Sequence, residues 1–134
     1  MAQKDLLDFI HSVASKIYHH GEVIFSEGDY SNGRMYFVFD GELSVMKGAE
    51  QKEIAVLKAG NFFGEMAIIK PNPRIATIKV KSKDAKVGII DKESFIQMSK
   101  TTPGFLFVLL RTAIERLIEA EARIEKLERE KRNP

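Results

Sequence analysis

Cysteine is absent from the 134 residues. That excludes a disulfide scaffold, a thiolate zinc site and a cysteine-ligated iron–sulfur cluster. An excess of one charge sign is also missing: 21 Lys and Arg stand against 19 Asp and Glu, a net charge of +2. The signs run mixed along the chain, 14 basic against 13 acidic over residues 1–110 and 7 against 6 over 111–134. No basic face is advertised, so charge gives no support to direct nucleic-acid binding. Long apolar runs are lacking as well. Nothing approaches a membrane span, and the opening MAQKDLLDFI has no secretory core. A cytoplasmic protein is expected. With 44% hydrophobic residues, residues 1–134 have material for one domain with a core, not two.

What the chain does have is two kinds of period. Leu6, Phe9, Ile10 and Val13 recur at helical spacing, which predicts a short amphipathic helix over 5–14. Short apolar segments then follow at Lys16–His19, Val23–Ser26, Met35–Phe39, Leu43–Lys47, Ile54–Leu57, Ile75–Lys81 and Val87–Ile90. Turn residues separate them, among them Gly28-Asp29, Ser31-Asn32-Gly33 and Ala59-Gly60. Strands this short and regular predict a mainly β fold over 16–91, an antiparallel jelly-roll β-barrel (double-stranded β-helix). Asp40-Gly41 between two apolar runs reads as a tight hairpin.

The helical period returns at residue 92 and holds over 92–132. Asp91 is placed to cap a helix from Lys92 to about Lys100. Thr102-Pro103 then opens a long C-terminal helix over 104–132. Along it Leu106, Leu110, Ala113, Leu117, Ala120, Ile124, Leu127 and Lys131 keep a 4-3 spacing, a heptad seam and a candidate coiled coil. Arg116 and Arg123 then flank the seam opposite Glu121 and Glu128 of a second copy, which favours a parallel homodimer.

The stretch FFGEMAIIKPNPRIATI sets one acid, Glu65, nine residues before one arginine, Arg74. Arg74 shares its parity with the apolar Ala76, Ile78 and Val80, so it is expected to face inward. An unpaired guanidinium there is costly and needs an anion. Glu65 is one candidate partner. A phosphate is another: Gly64 permits close backbone approach, Met66–Ile69 is long enough for one helical turn, and guanidinium matches phosphate oxygens in bidentate fashion. A carboxylate repels phosphate but accepts from hydroxyls, as on a ribose. A phosphate beside a sugar hydroxyl is the chemistry of a nucleotide.

Gly60-x-Phe62-Phe63-Gly64-Glu65-Met66-Ala67 followed by Pro73-Arg74-x-Ala76-Thr77 resembles the phosphate-binding cassette of cyclic-nucleotide-binding domains, as in protein kinase A regulatory subunits, cyclic-nucleotide-gated channels and catabolite activator proteins. The likeness extends upstream through Gly21-Glu22-Val23-Ile24-Phe25-x-Glu27-Gly28-Asp29 and Met35-Tyr36-Phe37-Val38-x-x-Gly41-Glu42. It implies that Glu65 takes the ribose 2′-hydroxyl and Arg74 the cyclic phosphate. Backbone amides near Ala67 and Ile75 would assist, Gly64 would leave room for the sugar, and Met66 and Ala76 would complete the site. In that family a threonine after the arginine favours cGMP. Here the position holds Ile75, so the resemblance implies cAMP rather than cGMP. The base would be capped by the C-terminal helix near Arg111, Thr112 or Glu115.

Other classes have weaker claims. Jelly-roll oxygenases cluster histidines around a metal, whereas His19 and His20 are adjacent and point to opposite faces of a strand. No Ser/His/Asp arrangement or carboxylate pair suggests catalysis, so neither an enzyme nor a metal site is expected. A DNA-binding relative needs a helix-turn-helix after the long helix, and the sequence ends at Lys131-Arg132-Asn133-Pro134. The alternatives kept are a family fold acting only as a dimeric interaction module, and a sensor piece of a transcription factor or channel.

Overall fold

The computed structural model describes residues 13–70 and 72–132. Its elements are β1 (Ala14–His19), β2 (Val23–Phe25), β3 (Met35–Asp40), β4 (Glu42–Lys47), β5 (Lys52–Lys58), β6 (Phe62–Phe63), α1 (Met66–Ile69), β7 (Thr77–Val80), β8 (Asp84–Ile90), α2 (Lys92–Thr101) and α3 (Gly104–Arg132). The expected N-terminal helix falls on residues outside those described, apart from its last two. Of these, Ala14 belongs to β1 instead.

The strands form two four-stranded sheets, ordered β1-β8-β3-β6 and β2-β7-β4-β5, with every pairing antiparallel. The sheets face each other across a core of Tyr18, Tyr36, Val38, Leu43, Leu57, Phe63, Ile78, Val80, Ala85 and Val87. This is the jelly-roll arrangement expected from the strand spacing. β3 reads Met-Tyr-Phe-Val-Phe without alternation because both of its faces are covered. Tyr36 and Val38 enter the core between the sheets, while Met35 joins a second cluster with Phe62, Ile68, Ile90, Met98 and Phe105. Phe37 and Phe39 pack against that second cluster. The helices α2 and α3 therefore seal the outer face of the first sheet. Phe105, fully buried, stands edge-on to Phe62 and to Phe95 at 5.3 and 5.9 Å between centroids.

Two sequence expectations are corrected here. Asp40-Gly41 is not a hairpin: β3 pairs with β8 and β6, β4 pairs with β5 and β7, and the two lie in different sheets. Gly41 (φ +93°) is the corner where the chain crosses between sheets, and a Cβ there would come within 2.5 Å of the Asp84 carbonyl oxygen. The second correction is at Ile75–Lys81, where the strand begins only at Thr77. The inward parity nevertheless extends upstream of it, since Arg74 and Ala76 are buried along with Ile78 and Val80.

α2 is capped as its sequence indicates, with Asp91 accepting from the Ser94 amide at 2.8 Å. α3 runs 29 residues, about 44 Å at helical rise. Its partly or fully buried residues Phe105, Val108, Leu109, Thr112 and Arg116 make one stripe toward the barrel, and residues 117–131 are all exposed. At about 100° per residue the seam Leu106, Leu110, Ala113 and Leu117 lies roughly 100° around the helix from that stripe. The barrel and the seam thus occupy neighbouring faces and do not compete for the same side chains.

Gly41→Ala should be among the most damaging single-methyl additions. It combines a left-handed backbone with a backbone clash, and a loss of about 2–4 kcal/mol is expected. Urea unfolding of the variant beside the parent measures it; a loss under about 0.5 kcal/mol would show that the corner can relax.

Candidate functional site

Arg74 is the best-determined side chain of the site, and the loop before β3 determines it. The Gly28 amide donates to the Arg74 carbonyl at 2.7 Å, and the Arg74 amide donates to the Asp29 carbonyl at 2.8 Å. Tyr30 and Pro73 form an isolated antiparallel bridge beside them. Asp29 shapes its own turn by accepting from the Ser26 amide at 2.9 Å. The upstream Glu27-Gly28-Asp29 block is therefore the backbone clamp of Arg74, although 45 residues separate Asp29 from it.

Arg74 is buried, 7% exposed as a residue. Nη1 donates to the Gly64 carbonyl at 3.3 Å, and Nη2 donates to Asn32 Oδ1 and the Arg34 carbonyl, both at 3.0 Å. The group lies over the Phe25 ring at 4.1 Å and is 5.9 Å from the Tyr36 ring. All three acceptors are neutral, and among the described residues no carboxylate lies within ion-pair distance of Arg74. Burial pulls its pKa below the usual arginine value, opposed by Tyr36 and Asp29 acting at longer range. Glu65 is thus not the partner of Arg74, and the simplest internal explanation for the buried cation is removed. Among the described residues three of the five guanidinium N–H groups are used, which leaves two.

Gly64 is required by that arginine. It sits at φ +73°, and a Cβ would come within 2.9 Å of Arg74 Nη1 and 3.4 Å of Tyr36 Cδ2. Arg74, rather than open space, is what the missing side chain accommodates. α1 follows directly, its Ala67 and Ile68 amides donating to the Gly64 and Glu65 carbonyls at a long 3.2 Å.

Between the cassette and the second sheet lies a cavity of about 170 Å³. All seven expected ligand residues, Gly64, Glu65, Met66, Ala67, Arg74, Ile75 and Ala76, line it. Its floor is apolar, supplied by Phe25, Val45, Leu57, Phe63 and Ile78, and Lys70 and Asn72 stand on its wall. Ile75 is 61% exposed.

The expected capping residues lie elsewhere. Arg111 pairs with Glu115 along the helix at 3.1 Å, both exposed, and the Thr112 hydroxyl donates to the Val108 carbonyl. None of the three lines the cavity. Besides Phe105, which packs on Phe62, Arg116 of α3 reaches the cassette: Nη1 donates to Glu65 Oε1 at 2.7 Å, and Nη2 donates to the Phe62 carbonyl. Sequence reasoning placed Arg116 only at the flank of a seam. The barrel stripe Phe105, Val108, Leu109, Thr112 and Arg116 is the periodic signal that finds it. Asn32, read only as a turn residue, and Arg34, not singled out, were also missed. The Asn32 carbonyl oxygen accepts from both Arg74 and the Arg34 amide, so one side chain ties the turn to the guanidinium.

This fold and cassette define a class. The sequence model of the cyclic nucleotide-binding domain matches residues 15–102, more than half of the chain, and the chain belongs to that family. It is 33% identical over 86 residues to the cAMP-dependent protein kinase type II regulatory subunit of Drosophila melanogaster, covering 63% of this chain and 22% of that protein. It is 29% identical over 111 residues to a cyclic nucleotide-gated potassium channel of Rhizobium etli, covering 83% and 30%. The crystal structure of the Thermus thermophilus catabolite activator protein superposes with a TM-score of 0.83 at 22% identity, over 95% of this chain and 60% of that one. The chain spans roughly a fifth to a third of the length of these two curated relatives. No described helix is long and apolar enough to cross a membrane.

Gly64→Ala should cost about 1–2 kcal/mol from its left-handed backbone alone, with a further loss from displacing the guanidinium. Chemical denaturation reads the total, and an unchanged midpoint would contradict the close Gly64–Arg74 packing.

Proposed function

We propose that the chain is a regulatory module that binds a cyclic nucleotide, cAMP in preference to cGMP, in the slot lined by Gly64, Glu65 and Arg74. One observation carries this reading. Arg74 is a buried cation on the slot wall whose acceptors are all neutral, and burying an uncompensated charge is costly unless an anion completes the site. A cyclic phosphate supplies that anion to the two remaining N–H groups. Glu65, on the same wall, accepts from the ribose 2′-hydroxyl, and Ala67, Ile75 and Ala76 close around the sugar-phosphate.

The cavity volume bears on the base. At about 170 Å³ the slot is smaller than the roughly 300–1,000 Å³ of ordinary small-molecule sites. It suits the sugar-phosphate, with the purine at the mouth beside exposed Ile75 and Met66. Ile75 has no hydroxyl to bond the guanine amino group, which favours adenine. A helix over that mouth would cap the base; Arg111, Thr112 and Glu115 serve this purpose only if α3 shifts toward it.

α3 gives the module its output. Leu110, Leu117, Ile124 and Leu127 are exposed along the seam, and Ala113 and Ala120 stand between them. A second copy covers this face in a parallel homodimer. The barrel stripe of the same helix is tied to the cassette through Phe105 and Arg116. Ligand binding and dimer geometry are then coupled through one rigid element, provided the ligand has different affinities for two helix positions.

Calorimetric titration of cAMP and cGMP into refolded protein tests the ligand. One cAMP per chain is expected, bound more tightly than cGMP; binding of neither overturns the reading and leaves the interaction-module alternative. Arg74→Ala removes charge-assisted bonds worth about 1.5–3 kcal/mol each and should weaken cAMP at least about tenfold. A variant that binds like the parent would take Arg74 out of the site. For the seam, Leu117→Asp should yield monomers by light scattering while the barrel stays folded. Persistence of the dimer would exclude this face.

A further inference from the structure

Thr77 stands on the face of its strand turned away from the slot. It is buried, yet its neighbours Ala76 and Ile78 line the cavity and Thr77 does not. It borders instead a shallow surface recess shared with Glu27, Gly28 and Gly48. There its hydroxyl accepts from the Glu27 amide at 2.9 Å. This bond extends a ladder that the backbone gives up, because β2 pairs with β7 only as far as Phe25 opposite Ile78. Beyond Phe25 the chain turns, and Asp29 closes the turn. Its amide donates to the Ser26 carbonyl at 3.0 Å and its carboxylate accepts from the Ser26 amide at 2.9 Å. Glu27 also holds the turn between β4 and β5, where its Oε1 accepts from the Gly48 amide at 2.9 Å.

Three consecutive residues thus grip the segment that carries Arg74. The Glu27 amide donates to Thr77, the Gly28 amide donates to the Arg74 carbonyl, and the Asp29 carbonyl accepts from the Arg74 amide. Only the first of these bonds needs a particular side chain. Resting on the nucleotide reading above, we propose that Thr77 is a positioning residue for the phosphate subsite: its hydroxyl pins the turn at Glu27, and the pinned turn holds Arg74 in place on the slot wall.

Thr77 does this without touching the ligand. A partly buried donor that loses its acceptor is costly to leave unpaired, and the Glu27 amide regains a partner by swinging its turn toward water. Asn32 and Arg34, which accept from the Arg74 guanidinium, follow on the same loop. With the turn loosened, the guanidinium keeps its binding position for only a fraction of the time, and the apparent affinity falls by that fraction. Valine is β-branched like threonine and fills a similar space, so the hydroxyl is what separates the two.

The test is cAMP titration by calorimetry, with displacement of a fluorescent cAMP analogue for weak binders. The full chain carries Thr77→Val, Thr77→Ser, Arg74→Ala or the Thr77→Val/Arg74→Ala pair, and thermal melts confirm folding. Thr77→Ala takes the place of Thr77→Val, with the same expectations, if the valine variant does not fold. Thr77→Val should weaken cAMP about fivefold, the effect of one hydrogen bond. Thr77→Ser, which keeps the hydroxyl, should recover most of that loss. In the Arg74→Ala background, with no guanidinium to place, Thr77→Val should change affinity by less than about twofold. A folded Thr77→Val variant that binds like the parent overturns the proposal, as does a Thr77→Ser variant as weak as Thr77→Val. An equal loss in both backgrounds overturns it too, because the hydroxyl then supports the barrel and not Arg74. A parent chain that binds neither cAMP nor cGMP overturns the nucleotide reading itself, and this proposal with it; binding that depends on Arg74 and ignores Thr77 overturns only this proposal.

Discussion

The burial of one guanidinium governs much of this molecule. Arg74 is out of water without a carboxylate, a situation that a folded chain tolerates only if neutral acceptors and aromatic faces replace the lost hydration. Several otherwise unrelated sequence features serve that end. The Gly28 and Asp29 backbones clamp its main chain, Asn32 and the Arg34 carbonyl take one amino group, and Gly64 gives up its side chain to make room. Phe25 provides a ring 4.1 Å from the guanidinium carbon. Such an arrangement is expensive for stability alone, and a hydrophobic residue would pack the same space more cheaply.

The long helix presents a different balance. Its first three turns have a barrel face centred on Phe105 and a seam face turned about 100° away, so one set of residues holds the domain and a different set forms the seam. Beyond Arg116 the seam residues Leu117, Ile124 and Leu127 are all exposed, as is Ile118 beside them. An isolated helix of this kind is marginal in water; its second half lacks the support that the aromatic contact between Phe62 and Phe105 gives its first half. Arg116 stands where these regimes meet. There its guanidinium pairs with Glu65 of the cassette at 2.7 Å.

The parts of this picture legible in the chain are those set by near neighbours. Strand spacing gave the jelly-roll class, Asp91 marked the start of α2, and parity placed Arg74 with Ala76, Ile78 and Val80, even though the regular strand starts later, at Thr77. The two-residue strand Phe62–Phe63 went unseen because two residues show no period. Asp40-Gly41 has the residues of a tight hairpin turn, and a local reading cannot distinguish that from a corner between sheets, since both need positive φ. Asn32 gave no signal beyond a turn and Arg34 none at all, because their role is to accept hydrogen bonds from a residue about 40 positions away.

The sequence by itself determined the fold class, the helix and strand periods and the pairing of chemistries at Glu65 and Arg74, because side-chain periodicity and residue type follow from local geometry. Only the tertiary structure decided which partner each charge has. Whether Glu65 met Arg74 or Arg116 depended on where the sheet crossing at Gly41 and the seat of Phe105 brought distant segments together, and that is a matter of packing that no short window of sequence contains.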